Sequence, residues 1–308
     1  MKKLLIVTLL FILVGCGQNT TTISTTTIAT TDSVDSNYQN VYIAAESNIT
    51  YRYYLPNTIN QDTGFLMMLH GGYMDGELFM QTSGMNELAD EYNFVVCYPS
   101  QNRSNNVEYY WNWYKDSEQT GTSGEIVALG NIANRLIEEK SLNLDRCYVA
   151  GFSAGACEAL NVYANYSDIF KGVACVAGLG YRLVDNKASA EELMANGETS
   201  KEGYQDLIKD KADKLPSKSM VIHGLGDNIV NPKNSDLIAN QLIDENYVED
   251  EEIVDTYNRF SYQNGTNSLE YYRFNDYGHV YCGAASSMFT RVTDVNYSQL
   301  IADYFFGN

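Results

Sequence analysis

The sequence has few of the residues that build metal centres and nucleic-acid interfaces. Only 3 histidines and 6 cysteines occur in 308 residues, so we expect neither a metal site nor an organic cofactor. Lysine and arginine number 20 against 39 acidic residues, which gives a net charge of −19. Because so acidic a surface repels phosphate backbones, we expect no nucleic-acid partner. The hydrophobic content of 44% excludes collagen and disorder over the whole length.

The cysteines also lack the spacing of a disulfide scaffold. Once Cys16 is set aside, the remaining number is odd and no two lie close together. Most stand in apolar runs, where a free thiol packs as a small hydrophobic group. We predict buried thiols, with one disulfide left open, at Cys97, Cys147, Cys157, Cys175 and Cys282.

The first residues are typical of an export signal. Two lysines precede an apolar run over residues 4–14, which is too short to span a bilayer as a mature helix. The run ends in LVGC, which resembles the lipobox of bacterial lipoproteins. We therefore predict a lipoprotein signal peptide over residues 1–15 and lipidation of Cys16. The chain would then lie on the extracellular side of the membrane, held there only by its lipid.

A Thr/Ser-rich tract follows Cys16. It has few large apolar residues and no periodicity, so it buries too little surface to offset its ordering entropy. We predict a flexible tether over residues 16–37 and a folded domain over residues 38–308.

Strand and helix patterns alternate through that domain. Continuous apolar runs are typical of strands buried on both faces of a parallel sheet, and they cover residues 65–69, 94–98, 147–152, 173–177, 220–222 and 269–274. Amphipathic helical patterns lie between them, most clearly GEIVALGNIANRLIEEK at residues 124–140. The alternation predicts an α/β fold with a mostly parallel sheet.

Two stretches break this alternation. Residues 181–217 form a polar insertion with weak helical patches, which we interpret as a cap-like excursion. Residues 248–268 are acidic and then Asn-rich, and we predict a second surface excursion there.

The strongest chemical signal is GFSAG at residues 151–155. It follows a strand pattern and precedes a helical one, which is the context of a nucleophile elbow. The alternative is an incidental turn. We predict that Ser153 is the nucleophile and that the Ala154 N–H is one oxyanion donor, beside a positive helix N-terminus.

Chain order selects the base and the acid. In a Ser–acid–His order only His279 follows both the serine and a well-placed acid, so we assign His70 and His223 to structural roles. Asp227 stands on a loop after a strand, where it could fix the His279 tautomer, although an Asx turn is the alternative. Asp276 is a rival that lies too close to His279 in sequence.

The second oxyanion donor should come from the loop after an early strand. LHGGY at residues 69–73 fits, because glycine permits close approach of backbone to substrate. We choose Gly72, with Tyr73 in reserve.

Several sequence blocks, taken in order, resemble the polyhydroxybutyrate depolymerase and feruloyl esterase type of α/β-hydrolase. They include LHGGYMDG, WNWY, RCYVAGFSAGA, HGLGDNIVNPKN and YGHVYCG. The resemblance implies an α/β-hydrolase fold with a Ser153–Asp227–His279 triad and an oxyanion donor at Gly72. The family often has cysteines where this chain has Gly72 and Tyr110, so the resemblance implies that a disulfide of its relatives is absent here.

Dense aromatic side chains near WNWY could stack on sugar rings or phenolic acyl groups. The alternative for each tryptophan is packing beneath a loop. We predict substrate contacts at Trp111, Trp113, Tyr114 and Tyr281.

Together these features predict a secreted serine esterase that acts on acetyl or feruloyl esters of plant polysaccharide. A polyhydroxyalkanoate depolymerase is the alternative. From other classes, a peptidase of the same fold and a non-catalytic surface-binding lipoprotein stay open.

Overall fold

The structure is a computed structural model that describes residues 38–43, 47–198 and 203–307. The predicted signal peptide, Cys16 and the tether lie outside the described residues. The first described strand begins at Tyr38. Within the described ranges, no helix has the length and apolar character needed to cross a bilayer.

Within the described residues, ten strands form the central sheet and two short strands form a second one. The strands are β1 Tyr38–Ile43, β2 Thr50–Tyr54, β3 Gly64–Leu69, β4 Phe94–Ser100, β5 Cys147–Phe152, β6 Gly172–Val176, β7 Lys218–Gly224, β8 Val248–Val254, β9 Tyr257–Asn264, β10 Asn267–Phe274, β11 Tyr281–Cys282 and β12 Thr290–Arg291. The central order is β1-β2-β4-β3-β5-β6-β7-β10-β9-β8. Strands β4 to β10 in this order are parallel, and antiparallel pairs complete both edges.

Helices cover both faces of the sheet. They are α1 Gly76–Ser83, α2 Met85–Tyr92, α3 Asp116–Thr120, α4 Glu125–Lys140, α5 Ala154–Asn165, α6 Lys187–Asn196, α7 Leu207–Ala212, α8 Lys233–Gln241 and α9 Tyr297–Phe306. Strand β3 shows why its sequence is continuously apolar. Phe65 and Met67 pack into the core on the side of α4 and α5. Leu66 and Met68 pack on the side of α2 and α9. Alternate side chains therefore serve opposite layers.

The stretch over residues 248–268 corrects the sequence analysis. We expected a surface excursion, but β8 and β9 form an antiparallel hairpin that continues the sheet beyond β10. All but the last residue of β8 are exposed, so neither face carries the apolar periodicity that predicts a strand.

The predicted insertion contains α6 and α7, and α6 contacts two loops. At its C-terminal end, the Met194 carbonyl accepts a 2.7 Å hydrogen bond from the Asn231 N–H. At its N-terminal end, Lys187 Nζ lies 3.3 Å from a carboxylate oxygen of Glu108. A cavity of about 590 Å³ lies between the insertion and α3.

Three buried glutamates lie near one another around α3, α4 and α5. Glu158 is completely buried. Its Oε2 accepts a 2.9 Å hydrogen bond from Asn161, and its Oε1 has no partner in the part of the chain that the structure describes. Burial, and then the charges of Glu118 and Glu125, hold the pKa of Glu158 well above its usual range. Burial and the Glu125 charge raise the pKa of Glu118 to about 7.

All the cysteines in the described part of the chain are buried, free thiols. This arrangement agrees with the predicted packing role. The disulfide left open by the sequence does not form among those residues.

Candidate active site

Ser153 occupies a sharp turn between β5 and α5. Its backbone has φ 55° and ψ −121°, a left-handed φ that is costly for a residue with a side chain. Gly151 and Gly155 make the turn possible. A Cβ on Gly151 would lie 2.0 Å from the Gly155 carbonyl oxygen, and one on Gly155 would lie 2.1 Å from the Leu69 carbonyl oxygen. Only glycine fits at either position, so the local sequence places the serine between strand and helix.

The structure brings Ser153, His279 and Asp227 into one hydrogen-bonded line. His279 Nε2 lies 2.9 Å from Ser153 Oγ, and His279 Nδ1 lies 2.7 Å from Asp227 Oδ2. The three residues follow β5, β10 and β7, and the carboxyl ends of these parallel strands meet at one edge of the sheet.

The Asp227 side chain is buried, and its carboxylate oxygens accept the hydrogen bonds described here. Its Oδ1 accepts from the backbone N–H groups of Ile229 and Val230, at 2.9 and 2.8 Å. Its Oδ2 accepts from His279 and lies 3.2 Å from His223 Nε2. Burial alone would raise the pKa of Asp227, but hydrogen bonds from the two histidines outweigh it and lower that pKa well below its usual range.

The ionised Asp227 determines which nitrogen of His279 carries the proton. Nδ1 faces a carboxylate oxygen and must donate, so Nε2 of the neutral ring is left with a lone pair. That lone pair faces the hydroxyl of Ser153. The arrangement can remove the hydroxyl proton while the oxygen attacks an electrophile.

The loop after β3 presents the predicted oxyanion donor. An ideal Cβ on Gly71 would lie 3.4 Å from Ser153 Cβ, so this loop passes directly against the serine. The reserve donor, the Tyr73 N–H, is already bonded to the Glu108 carbonyl at 2.8 Å. Gly72 is therefore the better-placed residue of the two.

His70 fixes the peptide between Gly71 and Gly72. Its Nε2 accepts from the Gln101 N–H at 3.0 Å, so its Nδ1 carries the proton and donates to the Gly71 carbonyl at 2.7 Å. In a trans peptide the carbonyl and the following N–H point in opposite directions. The Gly72 N–H is therefore directed away from the His70 ring. Burial lowers the pKa of His70 to about 4, against the opposing effects of Gly71 and Asp75, and keeps the ring neutral.

The predicted aromatic wall is corrected at two positions. Trp111 is entirely buried, and its indole N–H donates to the His70 carbonyl at 3.0 Å. Tyr281 is buried in the other core layer, where its hydroxyl bonds Ser298 Oγ at 2.8 Å. Neither side chain has a surface to offer a substrate. Trp113 is almost completely buried beside Tyr114, which is partly exposed.

Four exposed apolar side chains lie close in sequence to the predicted site residues, and the sequence analysis did not identify them. We name this set the apolar rim, and its members are Tyr73, Leu225, Ile229 and Met288. Tyr73 is 54% exposed on the Gly72 loop, and Met288 is 79% exposed beyond His279. Leu225 and Ile229 flank Asp227. Sequence position could have identified these four residues, because each lies within about ten residues of a predicted site residue.

The 590 Å³ cavity contains none of the three hydrogen-bonded residues. It therefore does not enclose the serine, which is itself partly exposed. Over the described residues, no cluster of three or more histidine, cysteine, aspartate or glutamate side chains is arranged to hold a metal ion.

Residues 49–255 match the sequence profile of a family described as Esterase PHB depolymerase. The chain belongs to that family. The resemblance inferred from the sequence blocks is thereby confirmed, and family membership supports the predicted carboxylic ester hydrolase class.

Two curated proteins are similar in sequence to this chain. It is 26% identical over 241 residues to poly(3-hydroxyalkanoate) depolymerase C of Paucimonas lemoignei, covering 73% of this chain and 57% of the relative. It is 22% identical over 197 residues to feruloyl esterase B of Thermothelomyces thermophilus. That match covers 61% of this chain and 67% of the relative. The matched region thus spans little more than half of the depolymerase.

A solved structure confirms the α/β-hydrolase fold. The acetyl xylan esterase from Aspergillus awamori superposes with a TM-score of 0.66 at 18% identity, over 78% of this PHB depolymerase family chain and 93% of the esterase. At this identity the likeness establishes the fold alone.

Proposed function

We propose that this chain is a serine esterase in which Ser153 is the nucleophile, His279 the base and Asp227 the acid. The observation that carries the proposal is the hydrogen-bonded line from Ser153 Oγ through His279 to Asp227, at 2.9 and 2.7 Å. It is supported by membership of an esterase family.

In the first step, Ser153 Oγ attacks the ester carbonyl while His279 Nε2 takes the hydroxyl proton. Asp227 stabilises the imidazolium that forms and keeps it oriented. The carbonyl oxygen becomes an oxyanion, to which the N–H groups of Gly72 and Ala154 donate. Ala154 is the first residue of α5, so its N–H has no acceptor within the helix.

In the second step, the tetrahedral intermediate collapses and the imidazolium gives its proton to the leaving alcohol. Water then attacks the acyl-enzyme, with the same histidine as base, and releases the acid. Every atom and proton in this cycle is supplied by the ester, water and the residues named.

The test is Ser153→Ala, assayed on an aryl acetate. Loss of a triad nucleophile typically lowers kcat by about 10⁶-fold, and we expect a loss of that order with unchanged folding. Ser104→Ala, on an exposed loop, is the matched control. Activity above a tenth of wild type in Ser153→Ala would overturn the assignment.

The first proposed substrate class is acetyl or feruloyl esters of plant polysaccharide. Curated relatives named feruloyl esterase B and acetylxylan esterase A support it. In the chain itself, partly exposed Tyr114 is the remaining candidate for stacking on a ring near the site. Turnover of acetylated xylan and methyl ferulate, measured side by side, tests this class.

A polyhydroxyalkanoate is the second candidate, and the apolar rim specifically favours it. A polyester surface is apolar, and exposed side chains such as Met288 and Ile229 gain by leaving water against it. A relative is named for depolymerising this class of polymer. Met288→Gln with Ile229→Gln should reduce turnover of hydroxybutyrate oligomers more than that of acetylated xylan. Equal turnover of the oligomers by variant and wild type would remove the argument.

A peptidase of this fold would use the same triad, so only the choice of substrate distinguishes it from an esterase. We propose that an aryl ester is cleaved and the matching anilide is not. A non-catalytic surface-binding protein would hydrolyse neither.

For location, we propose export and anchoring through lipid on Cys16, supported by the LVGC sequence. Mass spectrometry of the mature N-terminus tests this directly. A mature N-terminus without a lipidated Cys16 would overturn it.

A further inference from the structure

We propose that His223 is a positioning residue that holds the Asp227 carboxylate for catalysis, an inference that rests on the function proposed above. The sequence analysis gave His223 a structural role. Its fully buried side chain lies near the end of β7, four residues before Asp227. His223 Nε2 lies 3.2 Å from Asp227 Oδ2 and 3.1 Å from the Val230 carbonyl oxygen.

The surroundings of His223 fix its protonation. Both neighbours of Nε2 are acceptors, so Nε2 carries a hydrogen and donates it between them. Among the described residues, Nδ1 of this buried ring has no hydrogen-bond partner. His223 therefore acts through the hydrogen on Nε2, as a donor to the Asp227 carboxylate and the Val230 carbonyl.

This donor differs from the others that hold Asp227. The N–H groups of Ile229 and Val230 belong to the same loop as Asp227 and would move with it. His279 is the partner that must be oriented. His223 belongs to β7, which is hydrogen-bonded to β6 and β10 on its two sides. It therefore ties the carboxylate, and through Val230 the loop, to the rigid sheet.

The consequence is a specific role in the proton transfer. With His223 present, Asp227 Oδ2 shares its charge between two donors and stays aligned with His279 Nδ1. Without it, the carboxylate keeps its loop N–H groups and His279 but loses its tie to the sheet, so its alignment with His279 is weakened. Its undivided charge also binds the imidazolium of His279 more tightly. Turnover should fall, and the rise of activity with pH should move to higher pH.

The experiment compares His223→Leu, which removes the donor at similar volume, with His223→Gln, whose amide N–H can replace Nε2–H. We expect His223→Leu in the full chain to lower kcat about tenfold with KM unchanged, since His223 is not placed against substrate. The half-maximal point of the kcat/KM profile should move upward by about half a pH unit. His223→Gln should recover most of both effects. Ser219→Ala, a buried side chain of β7 without a partner, is the matched control and should change neither.

A packing role alone predicts lower thermal stability with an unmoved pH profile, and that result would overturn the proposal. So would equal loss of kcat in the Leu and Gln variants. If His223→Leu does not fold, ¹⁵N NMR of the wild-type histidines decides. The neutral His223 ring should carry its hydrogen on Nε2, and the reverse tautomer would refute the idea. If Ser153→Ala keeps its activity, the proposed function itself fails. A Ser153-dependent esterase insensitive to His223→Leu rejects only this inference.

Discussion

Asp227 and Glu158 are both buried carboxylates, but the chain surrounds them with different partners. Asp227 receives hydrogen bonds from two backbone N–H groups and two histidines. Glu158 receives one from Asn161, and its other oxygen has none. The pKa of Asp227 is lowered and that of Glu158 is raised, although burial pushes both upward. The number of hydrogen-bond donors around a buried carboxyl group determines whether its pKa is lowered or raised. The direction of that shift distinguishes the candidate catalytic Asp227 from Glu158, which is packed in the core.

The largest difference between Asp227 and Glu158 is expected when each acid is replaced by its amide. Asp227→Asn cannot ionise and would reverse the hydrogen bond to His279, so kcat should fall about 10⁴-fold. Glu158→Gln removes a charge that burial already disfavours, and its kcat should stay within about twofold of wild type. Initial rates on an aryl acetate check both. Comparable losses in the two variants would erase the distinction drawn here.

The pH dependence of stability gives the next largest effect. The pKa of Glu118 is raised from 4.5 to about 7, so the folded chain binds this proton more tightly than the unfolded chain. The resulting stabilisation is complete below the unfolded value and is lost as the pH rises through about 7. The melting temperature should therefore fall by several degrees between pH 5 and about 8, at roughly 2–4 °C per kcal/mol.

Glu118→Gln isolates the contribution of this group, because an amide oxygen can still accept the bond from the Ile126 N–H. At least half of the decline in melting temperature should disappear in calorimetric scans of this variant. An unchanged decline would mean that other groups cause it.

The smallest effect concerns Glu158 alone. Glu158→Leu replaces an acid whose Oε1 has no partner among the described residues by an apolar side chain. Asn161 keeps its 3.0 Å bond to the Trp113 carbonyl and loses the 2.9 Å bond to Glu158, so the loss of one bond offsets the removal of the unpartnered oxygen. We expect a melting temperature within about 3 °C of wild type or above it. A drop of ten degrees in calorimetry would show that the buried carboxyl stabilises the fold.

The sequence was most informative where chemistry demands a fixed local pattern. Gly151 and Gly155 predicted the turn at Ser153, because no other residue fits there. Continuous apolar runs predicted the parallel strands, because such strands are covered on both faces. Chain order was enough to select His279 and Asp227, the two residues that the structure brings to Ser153.

Tertiary packing decided the features that were missed. Nothing local distinguishes Trp111, buried beneath the Gly72 loop, from an exposed aromatic. The exposed strand β8 has no apolar alternation, since it gains its order from pairing with β9. In the sequence His223 is a single histidine at the end of a strand. Only the structure shows that the following loop folds back and places Asp227 beside its ring.

Strand β8 also affects whether two copies of this chain can pair edge to edge at high concentration. Among the described strands it is the last one on its side of the sheet, and its sequence, VEDEEIV, places four acidic residues in a row. If two copies approached edge to edge, these carboxylates would face one another across the new strand pair, where like charges repel. Salt weakens that repulsion. The acidic run therefore acts as a spacer between neighbouring copies, and it is most effective at low ionic strength.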